Sequence, residues 1–242
     1  MWITSILLII STFLPSGTTD NALFEAISKN DTISVKELIK SGIDVDTRDN
    51  EGTTALLYAI SKGSRESANL LVKANANLNI SRKSGWTLLM AASMRGYEDI
   101  AEKAITMGAD LNSSDNEGWT ALMAAAQENR TRVIELLLEK GAQINSINKD
   151  GWTALMIASA RGNKESVELL IGKGAGLNVQ DNNGRTALML TAIYGHKAAA
   201  ELLVKAKADL NTQDNLGKSA LDHAKANLQV AIVVLIKKAG GR

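Results

Sequence analysis

The chain has 242 residues, 45% hydrophobic and 22% charged, and 27 Lys+Arg against 26 Asp+Glu leave a formal net charge of +1. That is globular composition with no electrostatic case for wrapping nucleic acid or coating an acidic membrane. The absence of cysteine excludes disulfide frameworks, thiolate metal sites and cysteine nucleophiles, while two histidines, His196 and His223, are too few for a multi-histidine metal centre. One proline and 4% aromatic residues point to a helical interior built from alanine and aliphatic side chains.

The first element in the chain is apolar. Met1 to Gly17 reads MWITSILLIISTFLPSG, uncharged, with an apolar run from Ile3 to Leu14 closed by Pro15 and small residues. Its length is that of a signal-peptide core and short for a membrane span, so residues 1–17 are expected to be a cleavable leader. A retained anchor and a start codon placed too far upstream are the alternatives.

Beyond the leader one period runs to the end. Gly52, Gly85, Gly118, Gly151, Gly184 and Gly217 are spaced by 33 residues each time, and they open matching segments such as GWTALMAAA and GWTALMIAS. Asn79, Asn112, Asn145, Asn178 and Asn211 share the step, with Asp46 one step before them. Such self-similarity marks a repeat architecture, in which each unit buries its face against its neighbours. In the unit from Gly118 to Asp150, Thr120 is expected to cap a short alanine-rich helix. After a break at Glu128 to Arg130, Thr131 is expected to cap a second helix that buries Val133, Ile134, Leu136, Leu137 and Leu138 and stops at Lys140 and Gly141. In other units the break holds Gly96, Gly162 or Gly195.

This pattern resembles the ankyrin repeat over residues 19 to 242. The resemblance implies an all-α repeat solenoid of about seven helix pairs with β-hairpin loops. Its parts are an N-terminal cap unit at 19–51, repeats at 52–84, 85–117, 118–150, 151–183 and 184–216, and a C-terminal cap unit at 217–242, within a domain spanning 18–242. The family's aspartate that ties adjacent loops matches Asp49, Asp115, Asp181 and Asp214, while Arg82 and Asn148 depart from it. The family's Thr-Pro-Leu-His reads Thr-Ala-Leu-Met at Thr120 to Met123 and Thr153 to Met156, which removes the histidine's hydrogen bond.

Enzyme motifs fail on spacing. Gly217-Lys218-Ser219 lacks the glycine that a phosphate loop needs at Thr212, and Gly172 to Gly176 falls at a helix end. His196 and His223 read as packing or surface residues. No catalytic pair, cofactor site or metal site is expected. Four Asn-x-Ser/Thr sequons, at Asn30, Asn79, Asn112 and Asn129, include two loop asparagines that a glycan would disrupt, which favours a bacterial envelope location over a eukaryotic secretory route.

The remaining candidate is a surface. The residue after each leading glycine is Thr53, Trp86, Trp119, Trp152, Arg185 and Lys218, a column that holds three of the four tryptophans. Beside it lie Met94, Arg95, Glu128, Arg161 and Tyr194, together with Glu51, Lys62, Lys83, Glu117, Lys149 and Asp150. The strip carries seven positive and four negative residues. Aromatics beside arginines are the composition of binding hot spots. The column is therefore either a protein-binding strip on the concave face of hairpins and first helices, or a shield of stacked rings over the hairpins. The interleaved acids argue against a phosphate track. A monomeric periplasmic or secreted protein that binds a mildly acidic protein partner is expected, with a secreted effector of eukaryotic type acting on a host protein as the alternative, and with a cytoplasmic location if the leader is misassigned.

Overall fold

The computed structural model describes residues 16–241. Of the expected leader at 1–17, residues 1–15 lie outside the described residues, and the first helix, α1 (Ser16–Ser28), spans the expected cleavage zone at Gly17. The chain divides into two compact units, the first ending at Lys83 and the second beginning at Ser84. The boundary falls in the repeat loop where Arg82 stands in place of the turn aspartate.

The first unit holds α1, α2 (Thr32–Lys40), α3 (Ala55–Lys62) and α4 (Arg65–Lys73). α1 packs on α2 and α3 on α4, while α1 also packs on α3 and α2 on α4. The second unit holds α5 (Leu88–Arg95), α6 (Glu98–Thr106), α7 (Ala121–Gln127), α8 (Thr131–Glu139), α9 (Ala154–Arg161), α10 (Lys164–Gly172), α11 (Ala187–Tyr194), α12 (Lys197–Lys205), α13 (Ala220–Ala226) and α14 (Val230–Lys238). Here the odd-numbered helices pack in series, α5 on α7, α7 on α9, α9 on α11 and α11 on α13, and the even-numbered ones form a second row. No helix among the described residues is long and apolar enough to cross a membrane.

Composition explains the two rows. The first-row helices sit between two neighbours and bury almost every residue, as at Ala121 to Ala126 and Ala154 to Ser159, which only small or slender side chains permit at such close packing. The second-row helices are amphipathic and bury one stripe, Val133, Ile134 and Leu137 in α8. Leu136 and Leu138, expected inside, are half-buried because they fall off that stripe. In α14, Ile232 and Ile236 face inward while Val230 is 70% exposed.

The caps divide the same way. Each first-row helix in the second unit has a Thr or Ser N-cap whose hydroxyl accepts a backbone N–H, as Thr120 does from Met123 at 3.3 Å. Gly96, Gly162 and Gly195 close three of these helices in the left-handed conformation, with φ of 72°, 72° and 80°. Two other units carry a substitute for the histidine's hydrogen bond, where the thioethers of Met90 and Met189 accept the N-cap N–H at 3.4 and 3.5 Å.

The second-row helices α4, α6, α8, α10, α12 and α14 have no side-chain N-cap bond. Thr131 is the first residue of α8 and not its cap, which is Arg130. The side chains at this position serve the preceding unit. Arg130 donates to the carbonyl of Met94 at 3.1 Å, Asn163 to those of Ala126 and Gln127 at 2.9 Å each, and His196 Nε2 lies 2.9 Å from that of Ala160. They satisfy the carbonyls left open at the C-terminal ends of α5, α7 and α9.

The expected β-hairpin loops are tight turns. No strand forms among the described residues, and pairing is limited to isolated bridges such as Arg48–Thr54. The turns at Asp49, Asp115, Asn148, Asp181 and Asp214 each close on two backbone bonds, as Asp115 N–H to Trp119 O at 3.0 Å and Gly118 N–H to Asp115 O at 2.9 Å, which is too short a pairing for a ladder.

The aspartates expected to tie adjacent loops mainly close the turns they stand in. Asp49, Asp115, Asp181 and Asp214 close their own turns through Oδ1, as Asp115 does by accepting the N–H of Glu117 and Trp119. Of these, Asp181 also ties its turn to the preceding one, through Oδ2 to the Trp152 indole N–H, and the regular ties between adjacent loops come from the earlier column. Asp46, Asn112, Asn145 and Asn178 each accept, at 2.8 Å, a backbone N–H 31 residues downstream. Backbone bonds such as Lys149 N–H to Glu117 O (3.0 Å) and Asn182 N–H to Asp150 O (3.0 Å) add to them.

Candidate partner-binding surface

The turns decide where the column residues stand. Trp119 and Trp152 each donate a backbone N–H at 2.8 Å, to Asp115 Oδ1 and Asn148 Oδ1 respectively, and Arg185 and Lys218 do the same to Asp181 and Asp214 at 2.8 and 2.9 Å. The glycines before Trp119, Trp152 and Arg185 let one turn approach the next. Gly151 has φ of 80°, and a Cβ there would come within 2.8 Å of Asn182 N, so no other residue fits without moving backbone.

So positioned, the column differs along its length. Thr53, in the first unit, is buried, Trp86, Trp119, Trp152 and Arg185 are half-buried, and Lys218 is exposed. No ring contact joins the tryptophans to one another among the described residues, so they do not form a stacked shield. Trp152 is held by its neighbours: its indole N–H donates to Asp181 Oδ2 at 3.1 Å, and the Arg185 guanidinium lies 5.8 Å from its ring centroid. Arg185 in turn pairs with the same oxygen at 2.8 Å through both Nε and a terminal nitrogen. Arg185 is thereby a structural residue as much as a surface one.

Trp119 and Trp152 line one small groove with Gln127, Asn148, Asp150, Ile157, Ala160 and Arg161, of about 190 Å³. Arg161 is exposed and its side chain has no protein partner among the described residues. Of the other expected residues, Glu128 is exposed beside Gln127, which donates to it at 3.3 Å, and Met94 is half-buried. Arg95 is exposed, and Tyr194, 51% exposed, stacks on His196 with centroids 6.4 Å apart. Within the second unit, Lys149 pairs with Glu117 at 3.7 Å inside the strip, while Arg185 pairs with Asp181, an acid outside the count, so the positive excess is smaller than a count along the column gives. Sequence reading missed Ile157 and Ala160 as groove walls, because positions inside a nearly all-apolar helix carry no polar signal. It flagged Asn148 only as a departure from the repeat.

At the last turn, His223 Nε2 lies 2.8 Å from Asp214 Oδ2. Burial pushes the Asp214 carboxyl up, but hydrogen bonds from the Lys218 backbone, the His223 ring and the Leu216 backbone outweigh it and hold it below the ordinary carboxylate value. His223 packs in this turn. No cluster of three or more potential metal ligands occurs among the described residues.

A family model for ankyrin repeats, in three copies, matches residues 6–82, 74–148 and 155–240. The chain belongs to the ankyrin-repeat family. No curated protein matches it. Ankyrin repeats are generally protein–protein interaction modules and typically non-enzymatic. For this ankyrin-repeat chain, that directs attention to the groove between Trp119 and Trp152, where half-buried aromatics meet an unpaired arginine.

Proposed function

We propose that this ankyrin-repeat chain is a non-enzymatic module that binds a protein partner through the turn-and-first-helix face of its second unit, centred on Trp119, Trp152 and Arg161. One observation carries the reading: two half-buried tryptophans held by their turns flank a groove with an exposed arginine free of any protein partner. Rigid aromatics on ordered turns contribute contact area with little entropy to lose on binding. Arg95, Glu128, Met94 and Tyr194 then belong to the rim, and Trp86 extends the face. The fourteen helices among the described residues are read as seven pairs, the first and last serving as caps.

A photo-crosslinking residue in place of Gln127, at the groove, tests this against one in place of Glu168, exposed on α10 in the other row. Crosslinks to one protein from position 127 and none from 168 are expected. Equal crosslinking from both, or from neither, contradicts the assignment.

The chain is further read as exported, with residues 1–17 removed. The apolar run from Ile3 to Leu14 supports this, and the sequons that glycosylation would damage favour a bacterial envelope over a eukaryotic secretory route: Asn112 Oδ1 holds the N–H of Gln143, and Asn129 Nδ2 donates to Glu165 at 3.0 Å.

A further inference from the structure

The groove between Trp119 and Trp152 differs in one polar group from the corresponding place one repeat later, and from that difference we infer that it receives the carboxylate of an acidic side chain on the protein partner. The inference rests on the protein-binding reading above and names the partner's chemistry at that groove.

Thirty-three residues beyond Trp119 and Asn148 stand Trp152 and Asp181. Asp181 spends Oδ1 on its own turn, accepting from Asn183 N–H at 2.9 Å and Arg185 N–H at 2.8 Å. Its Oδ2 remains to accept the Trp152 indole N–H and the Arg185 guanidinium. Asn148 spends its Oδ1 in the same way, on Asp150 N–H at 3.0 Å and Trp152 N–H at 2.8 Å. Two backbone donors fix which end of the amide is oxygen. Nδ2 therefore takes the place that Oδ2 has in Asp181, and a donor stands where the repeat supplies an acceptor.

The consequence is a pair of unmatched N–H groups. Neither the Trp119 indole nor the Asn148 Nδ2 has an acceptor among the described residues. Asn148 is 7% exposed and lines the groove, so its amide nitrogen has only the groove from which to draw a partner. That nitrogen is served from the groove side, by water or by a ligand oxygen that takes the water's place. The turn itself does not require the amide, because Asp49, Asp115, Asp181 and Asp214 close theirs with a carboxylate.

Arg161 adds a charged donor at the rim, and Asp150 sets an acid beside it. The two charges offset one another, so the groove selects through directed N–H donors, which a carboxylate with two acceptor oxygens matches. At about 190 Å³ the groove is smaller than the roughly 300–1,000 Å³ of small-molecule sites, and a single side chain suits it better than a cofactor.

The test is a titration of the full chain, followed by ¹H–¹⁵N spectra, with blocked tetraglutamate peptide and, in parallel, blocked tetraglutamine peptide. Saturable shifts of the Trp119 indole N–H and the Asn148 side-chain amide with glutamate and not with glutamine are expected. Asn148→Asp, which installs the repeat's own residue and should melt within a few degrees of the parent, is expected to weaken the glutamate peptide at least tenfold, read at the Trp119 indole. Unmoved peaks, or equal affinity in the variant, overturn the carboxylate assignment. If that happens while a partner still crosslinks from position 127, the protein-binding reading stands and only its chemistry falls. If the peptide binds as expected and no partner crosslinks, the carboxylate site stands and the wider docking face falls.

Discussion

A single carboxylate, Asp181, joins two turns, and its side chain is fully buried against Arg185. It accepts from two backbone N–H groups, the Trp152 indole and the Arg185 guanidinium. Removing one partner of a buried, hydrogen-bonded pair costs about 3 kcal/mol, so Asp181→Ala should lower the unfolding free energy by about that much in urea titrations, with Asp181→Asn costing less because Oδ1 survives. Asp214 makes the matching acid-range prediction. Its folded value lies below the ordinary one, so its contribution is fully present above about pH 3.9 and is lost as pH falls through the depressed value. Thermal melts from pH 7 to 2 should show a steeper acid limb for the parent than for Asp214→Asn. The column of turn acids was legible in the sequence because it keeps the 33-residue step. What the second oxygen does was not, because it depends on the side chain across the loop: Trp152 and Arg185 for Asp181, His223 for Asp214.

Helices of the two rows are stabilised by different means. A first-row helix is closed at its N-terminus by its own hydroxyl, so Thr153→Ala should cost about 1 kcal/mol. A second-row helix gains nothing comparable, and the side chain before it holds the preceding unit. Asn163→Ala exposes the carbonyls of Ala126 and Gln127 and should also cost about 1 kcal/mol, with faster hydrogen exchange at the C-terminal end of α7 and not at the start of α10. Comparing exchange at the two helix ends checks this directly. Element positions followed from the glycine and threonine spacing alone. The role of Arg130, Asn163 and His196 did not, since three unlike residues at one repeat position give no visible pattern until their shared target, the preceding helix end, is seen.

Across the whole chain, a net charge of +1 gives no strong field to steer a partner, so binding has to come from local contacts. Association should therefore change little with added salt, which rate measurements at two ionic strengths can check. Export makes a separate prediction: the protein recovered from its cell should begin near residue 18, and an intact Met1 form in the cytosol would contradict it. The central claim is that partner binding runs through the Trp119 groove. Its most direct measurement is the affinity of the crosslinked partner for the parent and for Trp119→Ala, whose indole makes no side-chain hydrogen bond within the described residues. A loss of tenfold or more, with the melting temperature held within a few degrees, is the predicted result. Equal affinity in the two proteins would contradict it.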